Sequence, residues 1–247
     1  MNVEVVAMIY RSEPFARFIT DQLSRFCPVP WRLVGNDPTD DVTGYCTSVY
    51  HDPNPAAWYL SRVYRCWNHC VESSTADFVC LVNSDMAFSK GWLDALLSAL
   101  DGKTLPVSRL VEQSVHLAPG EHAIPVDFGR DPEEFPHEGW AKFAKEQKEH
   151  KIELSGCYMP MLIDREAFLR VGGYPEGNVS VDSAGGVHLI DTRVPVRMKD
   201  GAWCTATGDF FMSGDAFFVH KMHEAGFQHV TVFDSVVYHM QEGEMRS

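Results

Sequence analysis

Residues 78–92 read FVCLVNSDMAFSKGW. The run Phe78, Val79, Cys80, Leu81, Val82 is short and wholly apolar, the pattern of a strand buried on both faces. It stops at three small polar residues, Asn83, Ser84 and Asp85, and Trp92, Leu93, Leu96, Leu97 and Leu100 then recur at helical spacing. A strand that ends in polar residues ahead of an amphipathic helix puts Asp85 at the carboxyl edge of a sheet, where open α/β folds bind ligands. A turn residue or a helix cap is the plainer account of the same aspartate, and the neighbouring segments have to decide between them.

The alternation continues in both directions. Upstream, residues 3–9 read as a strand, and Phe15, Phe18, Ile19, Leu23 and Phe26 mark an amphipathic helix. Trp31, Leu33 and Val34 form a second strand that ends in the polar loop GNDPTDD. Residues 56–71 form a helix with Leu60, Val63, Tyr64, Trp67 and Val71 on one face. Downstream, 105–112 is a strand, 113–137 is a surface excursion rich in Pro, Gly, His and acid, and 138–150 is charged and helix-prone. Residues 158–163 read as a buried strand, and Asp164 caps a short helix, REAFLRV, that stops at Gly172-Gly173. Residues 176–207 are Gly-rich and weakly patterned, which suits a mobile loop or a substrate lid. A last helix runs from about Gly214 to Ala225, and two short strands, HVTVF and SVVYH, follow. Strands alternating with helices predict an α/β fold whose central sheet is mainly parallel and flanked by helices.

Composition narrows the function. Lys and Arg number 21 against 34 Asp and Glu, a net charge of −13, which argues against broad adhesion to nucleic acid or anionic membranes. A small basic pocket for phosphates stays compatible with it. No stretch nears the roughly 18 apolar residues of a membrane helix, and Glu4 interrupts any leader core, so a cytoplasmic protein without membrane anchor is expected. The seven cysteines (27, 46, 66, 70, 80, 157 and 204) lack CxxC pairs and read as reduced, buried small hydrophobes rather than a zinc site. GxGxxG after the first strand, GxxxxGK[ST], GxSxG and HExxH are all missing. His220 and His223 read as part of a solvated helix face, and DPEEF (131–135) as a solvated surface run.

What remains is a set of polar residues at successive strand and helix ends: Tyr10-Arg11, Asn36-Asp37, Asn83 to Asp85, Gly214-Asp215 and His239. In a parallel sheet such ends gather at one edge. Carboxylate, amide oxygen and imidazole together suit Mg²⁺ or Mn²⁺, and Mn²⁺ tolerates the nitrogen better. Such a metal clamps a diphosphate and stabilises it as a leaving group.

The order of these pieces resembles a GT-A glycosyltransferase, closest to the large inverting family 2. The first strand with Tyr10, the NDPTD loop with Asp37, the helix SRVYRCWN with Arg62 and Asn68, and LVNSDMAFSKGWL are similar to the family's nucleotide-binding half, the last in the region of its DxD metal motif. MLIDREAFLRVGGYPEG resembles the acceptor-side segment, and SGDAFFVHKMHEAGF the segment that carries the base. The resemblance covers most of the chain apart from about 113–150. It implies a GT-A, Rossmann-like fold over 1–247 as one domain, with 1–112 the nucleotide-sugar half and 151–247 the acceptor and catalytic half. It implies a hexosyltransferase-type, inverting transfer from a nucleoside-diphosphate sugar to a hydroxyl of an unidentified acceptor. Tyr10, Arg11, Asp37, Arg62, Asn68, Asn83 and Ser84 would bind the donor, with Arg62 near its phosphates. Asp85 and His239 would hold Mn²⁺ or Mg²⁺, and Asp215 would be the base. The segments 113–150 and 176–207 would shape the acceptor site.

Two positions depart from the family pattern. The first Asp of DxD is Asn83, and the Glu that usually precedes the base is Gly214, which leaves Asp209 as a competing base. Two rivals follow: a sugar nucleotidyltransferase, for which RSEPFAR lacks the glycines of a phosphate loop, and a non-catalytic module of the same fold that binds a nucleotide or a glycan.

Overall fold

The computed structural model describes residues 1–113 and 122–241. The amino-terminal part runs β1 (Val3–Ile9), α1 (Glu13–Phe26), β2 (Trp31–Asn36), α2 (Asp40–Thr43), β3 (Ser48–Tyr50), α3 (Tyr59–Glu72), β4 (Phe78–Asn83), β5 (Met86–Phe88), α4 (Trp92–Ser98) and β6 (Thr104–Glu112). Next come β7 (Ala123–Pro125), α5 (His137–Glu146), β8 (Ile152–Leu154), β9 (Met161–Asp164) and α6 (Arg165–Val171). Then follow β10 (Asn178–Val181), β11 (Val187–Ile190), β12 (Val196–Lys199), β13 (Ala202–Thr205), β14 (Phe210–Met212), α7 (Gly214–Glu224) and β15 (Gln228–His239).

The central sheet has the order β3-β2-β1-β4-β9-β6-β15-β5, with β7 beside β6 and β8 beside β15. The pairs β3/β2, β2/β1, β1/β4 and β6/β15 are parallel. β9 is antiparallel to both β4 and β6, so those two run the same way with β9 reversed between them. The carboxyl ends of β1, β2, β4, β6 and β15 therefore share one edge with the amino end of β9. Val79, Cys80, Leu81 and Val82 of β4 are fully covered, and each large aliphatic side chain among them contributes about 1.5–3 kcal/mol of burial. Helices lay their apolar stripes on this sheet: Phe15, Phe18, Ile19 and Leu23 of α1, and Val63, Tyr64, Trp67 and Val71 of α3.

Several expectations need correction. The polar loop after β2 contains the short helix α2 and leads into β3. Residues 86–88, given no element from the sequence, form β5: Phe88 stacks on Trp92 at 4.3 Å and the strand pairs antiparallel with the end of β15. Residues 152–154, read as no element, form β8 beside β15. In the 113–137 excursion, residues 114–121 lie outside the described residues; the remainder holds β7, and Phe128 and Phe135 pack on Tyr238. The helix expected over 138–150 ends at Glu146.

Residues 176–207 are not a loop. Together with β14 they build a second, five-stranded antiparallel sheet in the order β11-β10-β14-β13-β12. The last two strands are one, β15, whose pairing with β6 shifts between Val232 and Val236, so that Asp234-Ser235 sits in a bulge rather than a turn. Asp164 does cap α6, accepting from the Ala167 N–H at 2.8 Å, and left-handed Gly172 ends that helix. All seven cysteines are free, and among the described residues no helix is long and apolar enough to cross a membrane.

Candidate active site

Strand register assembles the shared edge. His239, the last residue of β15, lies opposite Glu112 on one side and Met86 on the other. The Met240 N–H donates to the Asp85 carbonyl at 3.0 Å, which brings the chain after β4 against the end of β15. As a result Asp85 Oδ1 lies 3.3 Å from His239 Nε2, and Glu112 Oε1 lies 3.1 Å from His239 Nδ1. Burial works against a charged imidazole here, but the Asp85 and Glu112 carboxylates outweigh it and hold the His239 pKa at about 10.

Glu112 was missed by the sequence reading, although an acid at the carboxyl end of an apolar strand is the same signal that singled out Asp85. Gln241 Nε2 donates to Glu112 Oε2 at 2.5 Å, so this carboxylate is held from two directions. The charged imidazolium is held between Glu112 at Nδ1 and Asp85 at Nε2, and a cation bound at Nε2 would have to displace the proton there while Glu112 keeps the ring oriented through Nδ1. The donor set suits a divalent cation, because a carboxylate oxygen and an imidazole nitrogen meet at the floor of a cleft. Glu112 lies across the ring, however, so two protein donors face one point. Among the described residues no group of three or more His, Cys, Asp or Glu side chains is arranged around a metal position. The remaining ligands of any cation would have to come from substrate or water.

Two cavities meet at this pair. One, of about 500 Å³, is bordered by Met8, Tyr59, Val63, Ser84, Asp85 and Arg193. The other, of about 250 Å³, is bordered by Leu110, Glu112, Cys157, Tyr158, Met159 and Asp215. Trp67, Asn83 and His239 belong to both walls. Arg193 comes from the connection between β11 and β12, in the segment that sequence patterning left without any named residue.

The remaining residues of the nucleotide half form a cluster beside the larger cleft. Tyr10 follows β1, and its ring packs edge-on to Tyr59 at 5.9 Å. The Arg62 guanidinium stacks over the Tyr10 ring at 4.7 Å, donates to the Tyr10 hydroxyl, and donates to Asp37 Oδ2 at 2.7 Å. Arg11, exposed, covers the same ring at 4.6 Å. Asp37 follows β2 at a positive φ of 47° and also accepts from the Asp52 N–H at 3.3 Å. Arg62 thus holds both Asp37 and Tyr10, and it is not among the residues that border either cavity. Asn68 is not at the cleft either: its Nδ2 donates to the Tyr174 carbonyl at 3.0 Å and its Oδ1 accepts from the Tyr174 N–H at 2.8 Å.

Asp215 opens α7, with the Ser213 hydroxyl capping the helix by accepting from the Ala216 N–H. Tyr64 Oη donates to Asp215 Oδ2 at 3.1 Å, while Oδ1 is shut away from solvent without a partner. Although the residue as a whole is partly exposed, its carboxyl is enclosed, and burial pushes its pKa up to about 6 against the lowering effect of Tyr64. Tyr64 is fixed in turn by stacking on Tyr174 at 5.6 Å. The departure at Gly214 has a steric cause: a Cβ there would sit 2.5 Å from the Tyr64 ring and 2.6 Å from the Gly177 carbonyl. Asp209 lies in the turn between β13 and β14, where it accepts from the Thr207 hydroxyl at 2.7 Å. His220 pairs with Glu224 at 3.5 Å, and His223 accepts from the His229 N–H, so the two do not converge.

A parallel sheet with one reversed strand between β4 and β6, a polar edge after β4 and a second small sheet is the GT-A fold of glycosyltransferases. Among solved structures the chain is similar to TarS of S. aureus, with TM-score 0.56, 12% identity, and 97% of this chain and 36% of that one covered. It is similar to GalNAc-T7 with UDP, GalNAc and Mn²⁺, with TM-score 0.59, 11% identity, and 97% and 44% covered. It is also similar to TarS 1–349 in complex with UDP, with TM-score 0.53, 11% identity, and 96% and 60% covered. The chain therefore spans less than two thirds of the length of each of these proteins. No family model matches the sequence, and no curated protein sequence matches it.

Proposed function

We propose that the protein is a metal-dependent glycosyltransferase that moves a sugar from a nucleoside-diphosphate donor to an acceptor hydroxyl. The observation that carries this reading is the meeting of two cavities at Asn83 and His239, one bordered by Ser84, Asp85 and Arg193 and the other holding an enclosed carboxylate at Asp215. A cleft with a carboxylate and an imidazole at its floor and an arginine on its wall suits a diphosphate. A carboxylate whose pKa of about 6 lies near neutral suits a general base. The similarity to GalNAc-T7 with UDP and Mn²⁺ supports the same assignment.

In this reading Tyr10 and Asp37, held by Arg62, position the base and ribose, and Arg193 takes the phosphate role first expected of Arg62. Asp85 and His239 would hold Mn²⁺ or Mg²⁺, which when bound supplies positive charge against the diphosphate. Asp215 accepts the proton of the acceptor hydroxyl as its oxygen bonds to the anomeric carbon. The bond from that carbon to the phosphate oxygen breaks, and its electron pair leaves with the nucleoside diphosphate. Attack on the face opposite the leaving group would give inversion, the outcome the family resemblance implies.

The experiment is incubation with a panel of nucleotide sugars plus Mn²⁺, reading nucleotide release with and without EDTA. Slow release with one donor that EDTA abolishes is the expected result, and Asp85→Ala should remove it while leaving the circular dichroism spectrum unchanged. Binding without any release would favour the non-catalytic module, and pyrophosphate-dependent formation of a nucleoside triphosphate would favour the nucleotidyltransferase.

A further inference from the structure

A separate cavity of about 540 Å³ opens between α1 and α5 beside β5. Long cationic side chains reach it from three elements: Arg25 in the last turn of α1, Lys90 just beyond β5, and Lys145 and Lys148 at and beyond the end of α5. In a chain of net charge −13, a cavity bordered by four cations and one acid, Glu138, is a local reversal of sign. Clefts lined by one sign of charge focus their field on counter-ions. Arg25 has Asp21 at 3.1 Å, whereas Lys90, Lys145 and Lys148 make no ion pair among the described residues. Lys148 is half-buried, with its Nζ donating to the Lys90 carbonyl at 2.6 Å; Asp94 and Asp234 act on it from a distance, and burial lowers its pKa.

Cations in the last turn of a helix are ordinarily explained by the helix dipole, and that accounts for Arg25 and Lys145 one at a time. It does not account for Lys90 and Lys148 converging with them. Nor does it explain two polar side chains on the wall. Gln22 is 1% exposed, and its Oε1 accepts from the Phe88 N–H at 3.0 Å, which fixes the amide and leaves Nε2 without a partner. Ser89 is 4% exposed, and its hydroxyl has no partner. A buried donor left unsatisfied costs about 1–3 kcal/mol, and anionic oxygens would satisfy both.

We propose that this cavity binds a phosphorylated small molecule. Four cations call for a ligand of more than one negative charge, and phosphate oxygens accept from ammonium, guanidinium, amide and hydroxyl donors alike. The site stands apart from the candidate active site: β5 has Asp85 and Met86 at one end and Phe88, Ser89 and Lys90 at the other.

The test is isothermal titration of the full chain, in EDTA and at fixed ionic strength, with pyrophosphate, inorganic phosphate, glucose 6-phosphate and glucose. Saturable binding of the phosphates but not of glucose is expected, weakening as salt is raised. The surface double variant Lys90→Gln/Lys145→Gln should bind about tenfold more weakly or worse. Gln22→Leu should also weaken binding, with its melting curve checked beside it, and Arg193→Gln, which removes the cation bordering the Ser84–Asp85 cleft, should leave binding unchanged. Absence of saturable binding for all three phosphates would overturn the proposal, as would an unaltered affinity in the lysine variant. Loss of binding in Arg193→Gln would overturn it too, because it would place the ligand in the Ser84–Asp85 cleft.

Discussion

The two cavities on either side of His239 are built on opposite plans. Beside the larger one, charged groups hold one another: Arg62 joins Tyr10 to Asp37, and Arg65 grips Asp52 through two hydrogen bonds of 2.8 and 3.0 Å. In the smaller one, Asp215 has one oxygen on Tyr64 and the other without a partner, among Leu110, Cys157, Tyr158 and Met159. A prearranged polar cluster suits the binding of a charged ligand such as the proposed nucleotide. An under-satisfied carboxylate in apolar surroundings is costly to the fold and keeps its proton affinity near neutrality, which suits proton transfer. Under the proposed function, this contrast would divide the cleft into a binding half and a reacting half.

The strongest way to break that contrast is Asp215→Asn. Turnover should fall by about 10²–10⁴-fold, the usual worth of a general base, while affinity for a nucleoside diphosphate stays the same. An equal loss in both would show that Asp215 belongs to the binding half. The same residue predicts a pH signature, with turnover falling as pH drops through about 6 and Asp215 becomes protonated. Stability should run the other way. Because the folded pKa is raised above the ordinary 3.8, this residue's contribution is fully present below pH 3.8 and lost as pH rises through about 6. Asp215→Asn should flatten that part of the stability curve, and denaturant midpoints at pH 4, 5, 6 and 7 would check it.

How much of this was legible in the sequence differs between the two halves for a physical reason. β1, β2 and β4 are short apolar strands covered on both faces, so their ends, and with them Tyr10, Asp37 and Asp85, could be read directly. His239 was legible as the polar stop of SVVYH, and strand direction alone brought it to Asp85. The small sheet was not legible, because β11 and β12 are largely exposed and carry no buried face to impose a period of two. Arg193 was lost with it. Asn68 and Arg62 were expected at the donor, and the partners they have here, the Tyr174 backbone and Asp37, are set by packing at long range. Glu112 carried the same strand-end signal as Asp85, but its place opposite His239 comes from the β6/β15 register, which the local pattern does not encode.

On the binding side, Arg62→Leu sharpens the comparison with a smaller effect than loss of the base. The Arg62 side chain is 7% exposed and that of Asp37 19%, so removing the cation strands a mostly covered carboxylate, at a cost of about 2–3 kcal/mol in denaturant unfolding. Nucleoside-diphosphate affinity should fall with it, and turnover at saturating donor should change little. If turnover at saturation collapses instead, Arg62 acts on the reaction and the division between the halves fails.

The smallest expected effect is the most discriminating about how Asp215 is held. Ser213→Ala removes the hydroxyl that accepts from the Ala216 N–H at the start of α7, at a cost of about 1 kcal/mol. If capping alone positions the carboxylate, turnover should drop with stability. Tyr64 offers a second anchor: it donates to Asp215 Oδ2, stacks on Tyr174, and lies against Gly214 so closely that no Cβ fits between them. With that anchor intact, Ser213→Ala should lower the melting temperature while kcat and its pH dependence stay near wild type. Tyr64→Phe, which keeps the ring packing but removes the donor, should then move the acid limb of the pH profile to higher pH, because the hydroxyl is what lowers the Asp215 pKa against burial.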